Sequence, residues 1–169
     1  MSISMPAQIL EIQEKLRTAW NFLTGEDRCF RFVDGMTQQD GNNVHRRIVL
    51  PISSPDAKQR AAIALLIGRE DAEQLASSMF GVLRKDLAEE DIADACAEAC
   101  NVLSGAIVEY LSASEQIQIG LPTAIEAADY QSVLLGSNIK AFFEGKSDNQ
   151  QLTLVIFDPL VEPKHQGSV

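Results

Sequence analysis

Between residues 6 and 23, Ile9, Ile12, Leu16, Trp20 and Leu23 recur along the chain. That is the spacing of one helical face, and Pro6 suits the first turn of such a helix. The period then changes. CFRFV (29–33) alternates and predicts a strand, DGMTQQDGNN (34–43) is a polar turn, and RRIVLPI (46–52) predicts a returning strand that closes a long first hairpin. AAIALLIG (61–68) is apolar without interruption and stops at Gly68, as a short buried strand would. REDAEQLASSMFGVL (69–83) opens with acids, favourable at a helix N-terminus, and repeats Ala72, Leu75, Ala76 and Met79 along one side. A longer helix covers about 89–112. QIQIGLP (116–122) predicts a strand ended by Pro122, and NIKAFFE (138–144) with LTLVIFDP (152–159), joined by GKSDNQQ, predict a further hairpin. Strands paired through polar turns with helices interposed give an α+β fold, a largely antiparallel sheet covered by helices. The expected organisation is one domain over 1–158 and a polar C-terminal tail over 159–169.

The long helix carries the most informative pattern. At about 100° per residue, Ile92, Cys96, Ala99, Cys100, Leu103, Ile107, Tyr110 and Leu111 gather on one broad side, the expected core stripe. Asp94, Glu98, Asn101 and Gly105 gather opposite, with Asp91 and Glu109 beside them. A glutamate on an exposed helix face needs no function, since solvated charge is the default there. Asn101 asks for more, because asparagine is a poorer mid-helix residue than lysine, glutamine or glutamate. Gly105 asks for more still, costing about 1 kcal/mol against alanine in a helix interior. On an exposed face, close approach of something from outside explains it economically. Val102 and Val108, at the flanks of the polar stripe, would offer apolar contact to that visitor.

Composition narrows what the visitor can be. A chain of 169 residues, 46% apolar and 22% charged, is an ordinary soluble domain long enough for a real core. Its formal charge of −10 argues against a nucleic-acid partner and against anionic membranes, both of which demand a basic surface. MSISMPAQILEIQEKL has no basic region followed by an apolar run, so no secretory signal is expected there, and AAIALLI is far too short to cross a bilayer. Three cysteines do not make a disulfide framework, and a reducing cytoplasm is the expected compartment.

Other chemistry fares worse. Cys96 and Cys100 are spaced i, i+4 and could in principle hold a metal, but both point at the predicted core and no further ligands stand at a zinc-like spacing. His45 and His165 fall in a hairpin arm and in the tail, where surface placement accounts for each. Asp94 with Glu98 as a carboxylate pair would lack a pocket to hold a substrate. No phosphate loop, serine elbow or dinucleotide fingerprint appears.

The ordered set of apolar strand AAIALLIG, helix DAEQLASSMFG, Asp94-x-x-x-Glu98-x-x-Asn101 followed by Gly105, and Pro122 in IGLPT resembles the signature of the CheX/CheC/FliY chemotaxis phosphatases. The likeness covers about residues 60–125. It implies dephosphorylation of a CheY-type response regulator by a helix inserted into the receiver's active site. By that resemblance Glu98 pairs with the receiver's lysine and Asn101 holds the attacking water, with Asp94, Val102, Gly105 and Val108 contacting the partner. Only one Glu-x-x-Asn occurs, which implies a CheX-like arrangement and hence a homodimer. Magnesium would belong to the receiver, so this chain is expected to bind no cofactor of its own. Family members often carry glycine before the glutamate, where this chain has Ala97. A non-catalytic module binding a receiver through the same face is the alternative.

Overall fold

The computed structural model describes residues 6–33, 43–53, 55, 60–111, 117–136, 139–145, 147 and 151–157. Its elements are α1 (Pro6–Thr24), β1 (Phe30–Val33), β2 (Arg46–Ser53), β3 (Arg60–Ile67), α2 (Arg69–Phe80), α3 (Glu89–Leu111), β4 (Gln118–Ile119), β5 (Thr123–Ile125), α4 (Ala127–Gly136), β6 (Ile139–Gly145) and β7 (Leu152–Phe157), with a single 3-10 turn at Arg84–Asp86. Among the described residues they form an antiparallel sheet in the order β1-β6-β7-β3-β2-β4, with β5 also paired to β2. The expected α+β architecture is therefore present.

Register parity explains the uninterrupted apolar run of β3. Ala61, Ile63, Leu65 and Ile67 enter one core, whereas Ala62, Ala64 and Leu66 enter another on the opposite face of the sheet. Successive strand residues point to opposite faces, so a strand with apolar residues at both parities is covered on both sides. The larger core is roofed by α1, α2 and α3 through Ile12, Leu16, Trp20, Leu75, Cys96 and Leu103. The smaller one meets α4 through Tyr130, Val133 and Leu134, and Tyr130 sits edge-on to Phe157 at 6.2 Å.

Three expectations need correction. β1 and β2 do not form a hairpin: β1 pairs with β6, from Phe30 opposite Gly145 to Val33 opposite Phe142, and β2 pairs with β3. The segment 34–45 between them is far longer than the two to five residues of a usual hairpin loop. α1 also anchors β1 at the far edge, where Gln13 Oε1 accepts the Phe32 N–H at 3.0 Å. The strand expected over 116–122 is reduced to Gln118–Ile119, and Pro122 interrupts rather than ends it, since pairing to β2 resumes at Thr123–Ile125. The helix expected to reach residue 83 stops at Phe80, where the Gly81 N–H closes on Ser77 O and the Ser77 hydroxyl on Val82 O. α4 stands where the hydrophobic pattern predicts no element. The later hairpin is present as β6 paired with β7. The polar turn at 34–42, most of the GKSDNQQ connection and the tail with His165 lie outside the described residues.

α2 is tied to the segment after α1 by a buried ion pair. Arg28 donates to both carboxylate oxygens of Asp71, at 2.7 and 3.1 Å, and its guanidinium lies 5.4 Å from the centre of the Trp20 ring. Arg28 is 6% exposed and Asp71 1%.

Candidate functional site

Helix α3 is fixed at both ends before its exposed face is considered. At the start, Asp91 accepts the Ala88 N–H at 3.0 Å, satisfying a donor that the helix itself leaves open. Glu89 receives Arg46 at 2.8 Å and Arg69 at 3.1 Å, joining β2, α2 and α3 at one corner. His45 packs against the same corner and is only half-buried. Its Nε2 lies 3.5 Å from Arg69 and 4.0 Å from Glu89. Burial, then Arg69 and Arg46, holds its pKa below the usual histidine value. Toward the other end, Lys15 of α1 bonds Glu109 at 2.5 Å and Tyr110 donates to Glu11 at 2.8 Å. Asp91 and Glu109, which the helical wheel sets beside the polar stripe, are thus already engaged by the protein's own groups. The wheel alone has no means of separating them from the rest of the stripe.

What remains is a patch of four. Asp94, Glu98, Asn101 and Gly105 are all exposed. Among the described residues, Asp94, Glu98 and Asn101 make no side-chain hydrogen bond or ion pair. A Cβ built on Gly105 would meet no heavy atom within 4 Å. Gly105 is therefore not needed for packing within the chain, and its missing side chain faces outward. Val102 and Val108 flank the patch as expected, but each is half-buried and packs on the larger core, so only part of either is presented to solvent. Ala97, at the position before Glu98, is likewise half-buried on a flank.

The reverse side of α3 gives the patch its rigidity. Ile92, Ala95, Cys96, Ala99, Cys100, Leu103, Ser104 and Ile107 are buried, and the Cys100 thiol approaches Ile48 O at 3.9 Å. Tyr110 is half-buried rather than fully in the stripe, and the side chain of Leu111 lies outside the described residues. Burial pushes the Cys96 thiol up to about 12 and the Cys100 thiol up to about 11, so both stay protonated at neutral pH and serve as packing groups in the core. Among the described residues no group of three His, Cys, Asp or Glu side chains is placed to hold a metal ion, and no helix is long and apolar enough to cross a membrane. A carboxylate and an amide one turn apart on an open, rigid ridge can bind a cation and orient a water molecule or an anionic oxygen. They cannot enclose a small substrate.

Comparison with known proteins agrees with this geometry. The fold is similar to a CheC-like superfamily protein from Shewanella sp. PV-4, with TM-score 0.65 and 10% identity over 91% of this chain and 98% of that one. It is similar to the CheX–CheY–BeF3–Mg2+ complex from Borrelia burgdorferi, with TM-score 0.63 and 14% identity over 90% and 96%. It is also similar to a chemotaxis protein CheX from Desulfovibrio desulfuricans, with TM-score 0.58 and 15% identity over 90% and 99%. At these identities the likeness is one of fold. No curated protein matches the sequence. The family profile described as chemotaxis phosphatase CheX matches residues 57–143, a span running from just before β3 through α2, α3, β4, β5 and α4 into β6. With the fold, the free ridge on α3 and this match in hand, the chain belongs to the CheX chemotaxis phosphatase family.

Proposed function

We propose that this protein dephosphorylates a CheY-type response regulator, with α3 inserted into the receiver's phosphorylation site. One observation carries the reading: Glu98 and Asn101 stand exposed and unbonded on a ridge whose base is immobilised, with the bare Gly105 one turn further along. Such a ridge suits a flat or concave protein site better than a free metabolite. The similarity to a CheX solved in complex with CheY supports a receiver as the partner.

An aspartyl phosphate is a reactive acyl phosphate, so placing a water in line with phosphorus is most of the catalytic task. The Asn101 carbonyl accepts a hydrogen bond from that water while its NH2 donates toward a phosphoryl oxygen. Glu98 forms a charge-assisted bond with a receiver lysine and fixes the register of the two proteins. Gly105 lets the receiver's backbone pass close to α3. Magnesium belongs to the receiver and is held by its acids.

The test is decay of a phosphorylated receiver at substoichiometric protein. Asn101→Ala is expected to slow catalysed decay by about a hundredfold or more, the order seen when a water-orienting or charge-stabilising group is removed, with unchanged thermal melting. Glu98→Ala is expected to act mainly through weaker affinity. Undiminished turnover in Asn101→Ala would remove the mechanism, and strict one-to-one consumption by the wild type would leave only a binding module.

A further inference from the structure

The two flanks of the α3 ridge differ. On one side the helix is stitched to α1 by Lys15–Glu109 and Tyr110–Glu11, a charged seam. On the other side α3 lies over β2, with Cys100 against Ile48 O, and beyond β2 the sheet ends at β4 and β5. Asn101, Ser104 and Val108 follow on that second flank.

Pairing register fixes which way the edge residues point. Ile119 is opposite Ile52 and Ala124 is opposite Ile48. Ile52 and Ile48 both belong to the core beneath the helices, so Ile119 and Ala124 face the helix side of the sheet. Between them the edge strand carries one residue more than β2: the Gly120 N–H bonds Pro51 O at 2.8 Å, yet Thr123 is already opposite Val49. Leu121 and Pro122 therefore share the place opposite Leu50, a bulge that re-aims side chains at a sheet edge. Gly120 is required for it, since a Cβ there would come within 2.5 Å of the Pro51 ring. The outcome is an apolar ledge: Leu121 is 83% exposed and Ile119 49%. No residue from Ile117 to Ile125 is charged, in a chain that is 22% charged with a net charge of −10.

We infer that Ile119 and Leu121 form an uncharged shelf at the sheet edge, on the side of α3 that carries Asn101, on which the same receiver rests while its phosphoryl group meets α3. This rests on the reading of α3 as the receiver-binding helix and adds the residues that select the partner. An acidic protein approaching an acidic, magnesium-binding site gains little from its own carboxylates, and a neutral apolar ledge on the Asn101 side of α3 supplies contact without that repulsion. Leu121 is thus a positioning residue, touching the receiver away from the reacting atoms.

The experiment measures binding of a CheY-type receiver loaded with magnesium and beryllofluoride, alongside steady-state dephosphorylation of the phosphorylated receiver. Leu121→Asp is expected to weaken binding at least tenfold and to raise KM similarly while kcat at saturation is retained. Leu121→Met should restore wild-type behaviour. Leu121→Ser with Ile119→Ser provides a milder pair if the aspartate disturbs folding, as judged by circular dichroism. Leu83→Asp, at another solvent-facing leucine that is 63% exposed, should change nothing. Unaltered affinity in Leu121→Asp or in the serine pair overturns the shelf, as does an effect confined to self-association by sedimentation, which would assign the ledge to a second copy of the chain. Because affinity is read separately from turnover, failure of Asn101→Ala to slow catalysis would sink the phosphatase mechanism and leave the shelf to be judged by binding alone.

Discussion

Gly105 is the residue whose two roles can be pulled apart most cleanly. Its Cβ position is open and its helical setting is ordinary, so nothing in the fold opposes a side chain there. Gly105→Ala should therefore stabilise the protein by about 0.5–1 kcal/mol, the cost that glycine imposes on a helix interior. Gly105→Leu should fold as well as wild type yet lose receiver binding. Melting temperature and a binding titration on the same samples check both, and a destabilised leucine variant would show a packing role that the open space denies. At this scale the exposed patch was legible in the sequence because angular position on a helix is arithmetic. What was illegible is that Asp91 and Glu109 are spoken for. The Lys15 that engages Glu109 lies on a different helix, and only the true first turn of α3 shows that Asp91 caps it.

Between elements, the ridge is only as precise as the supports of α3. α2 packs along α3, and α2 is itself held by the Arg28–Asp71 pair, with both partners almost wholly inside the protein. Removing Asp71 takes the close bidentate partner from a buried Arg28, with the Glu26 carboxylate farther off at 3.9 Å. Asp71→Ala should thus cost about 3 kcal/mol of stability, measured by denaturant unfolding, and a loss below about 1 kcal/mol would show that the other contacts of Arg28 compensate its charge. Element prediction from sequence succeeded where one period ran long, as in α1, α2 and α3. It failed where pairing is non-local. Nothing inside CFRFV tells whether its neighbour is the next strand or one from the far end of the domain, and only the length of the connection hinted at the answer. Among the described side chains, α4 presents Tyr130, Val133 and Leu134 to a core, an i, i+3, i+4 signal too brief to stand out beside two alanines and a terminal glycine. In the edge strand Pro122 looks like a terminator, whereas the bulge around Gly120 lets pairing continue past it.

For the molecule as a whole, acid should loosen the corner where β2, α2 and α3 meet. His45 titrates below 6.5 in the folded protein, first because it is desolvated and then because Arg69 and Arg46 are near. Its contribution is complete above that value and is lost as pH falls toward the lower folded pKa, since the unfolded chain takes up the proton more readily. Glu89 is also depressed, chiefly through its bond from Arg69, so its contribution is present above 4.5 and fades under more acidic conditions. Both act in the same direction. His45→Gln should therefore lose less melting temperature than wild type on moving from about pH 7 to about pH 5, and identical pH profiles would show that this histidine does not report on folding.

The sheet's plan also has a temporal consequence. β7 lies between β6 and β3, so the strand that joins the two halves of the sheet is made from residues 152–157. A nascent chain released as far as β6, with α3 complete, still holds β2–β3 and β1–β6 as separate ribbons awaiting their bridge. Synthesis must run past Phe157 before the α3 ridge has a finished floor beneath it, so premature termination in that last stretch should yield an aggregation-prone product instead of a folded but weakened one.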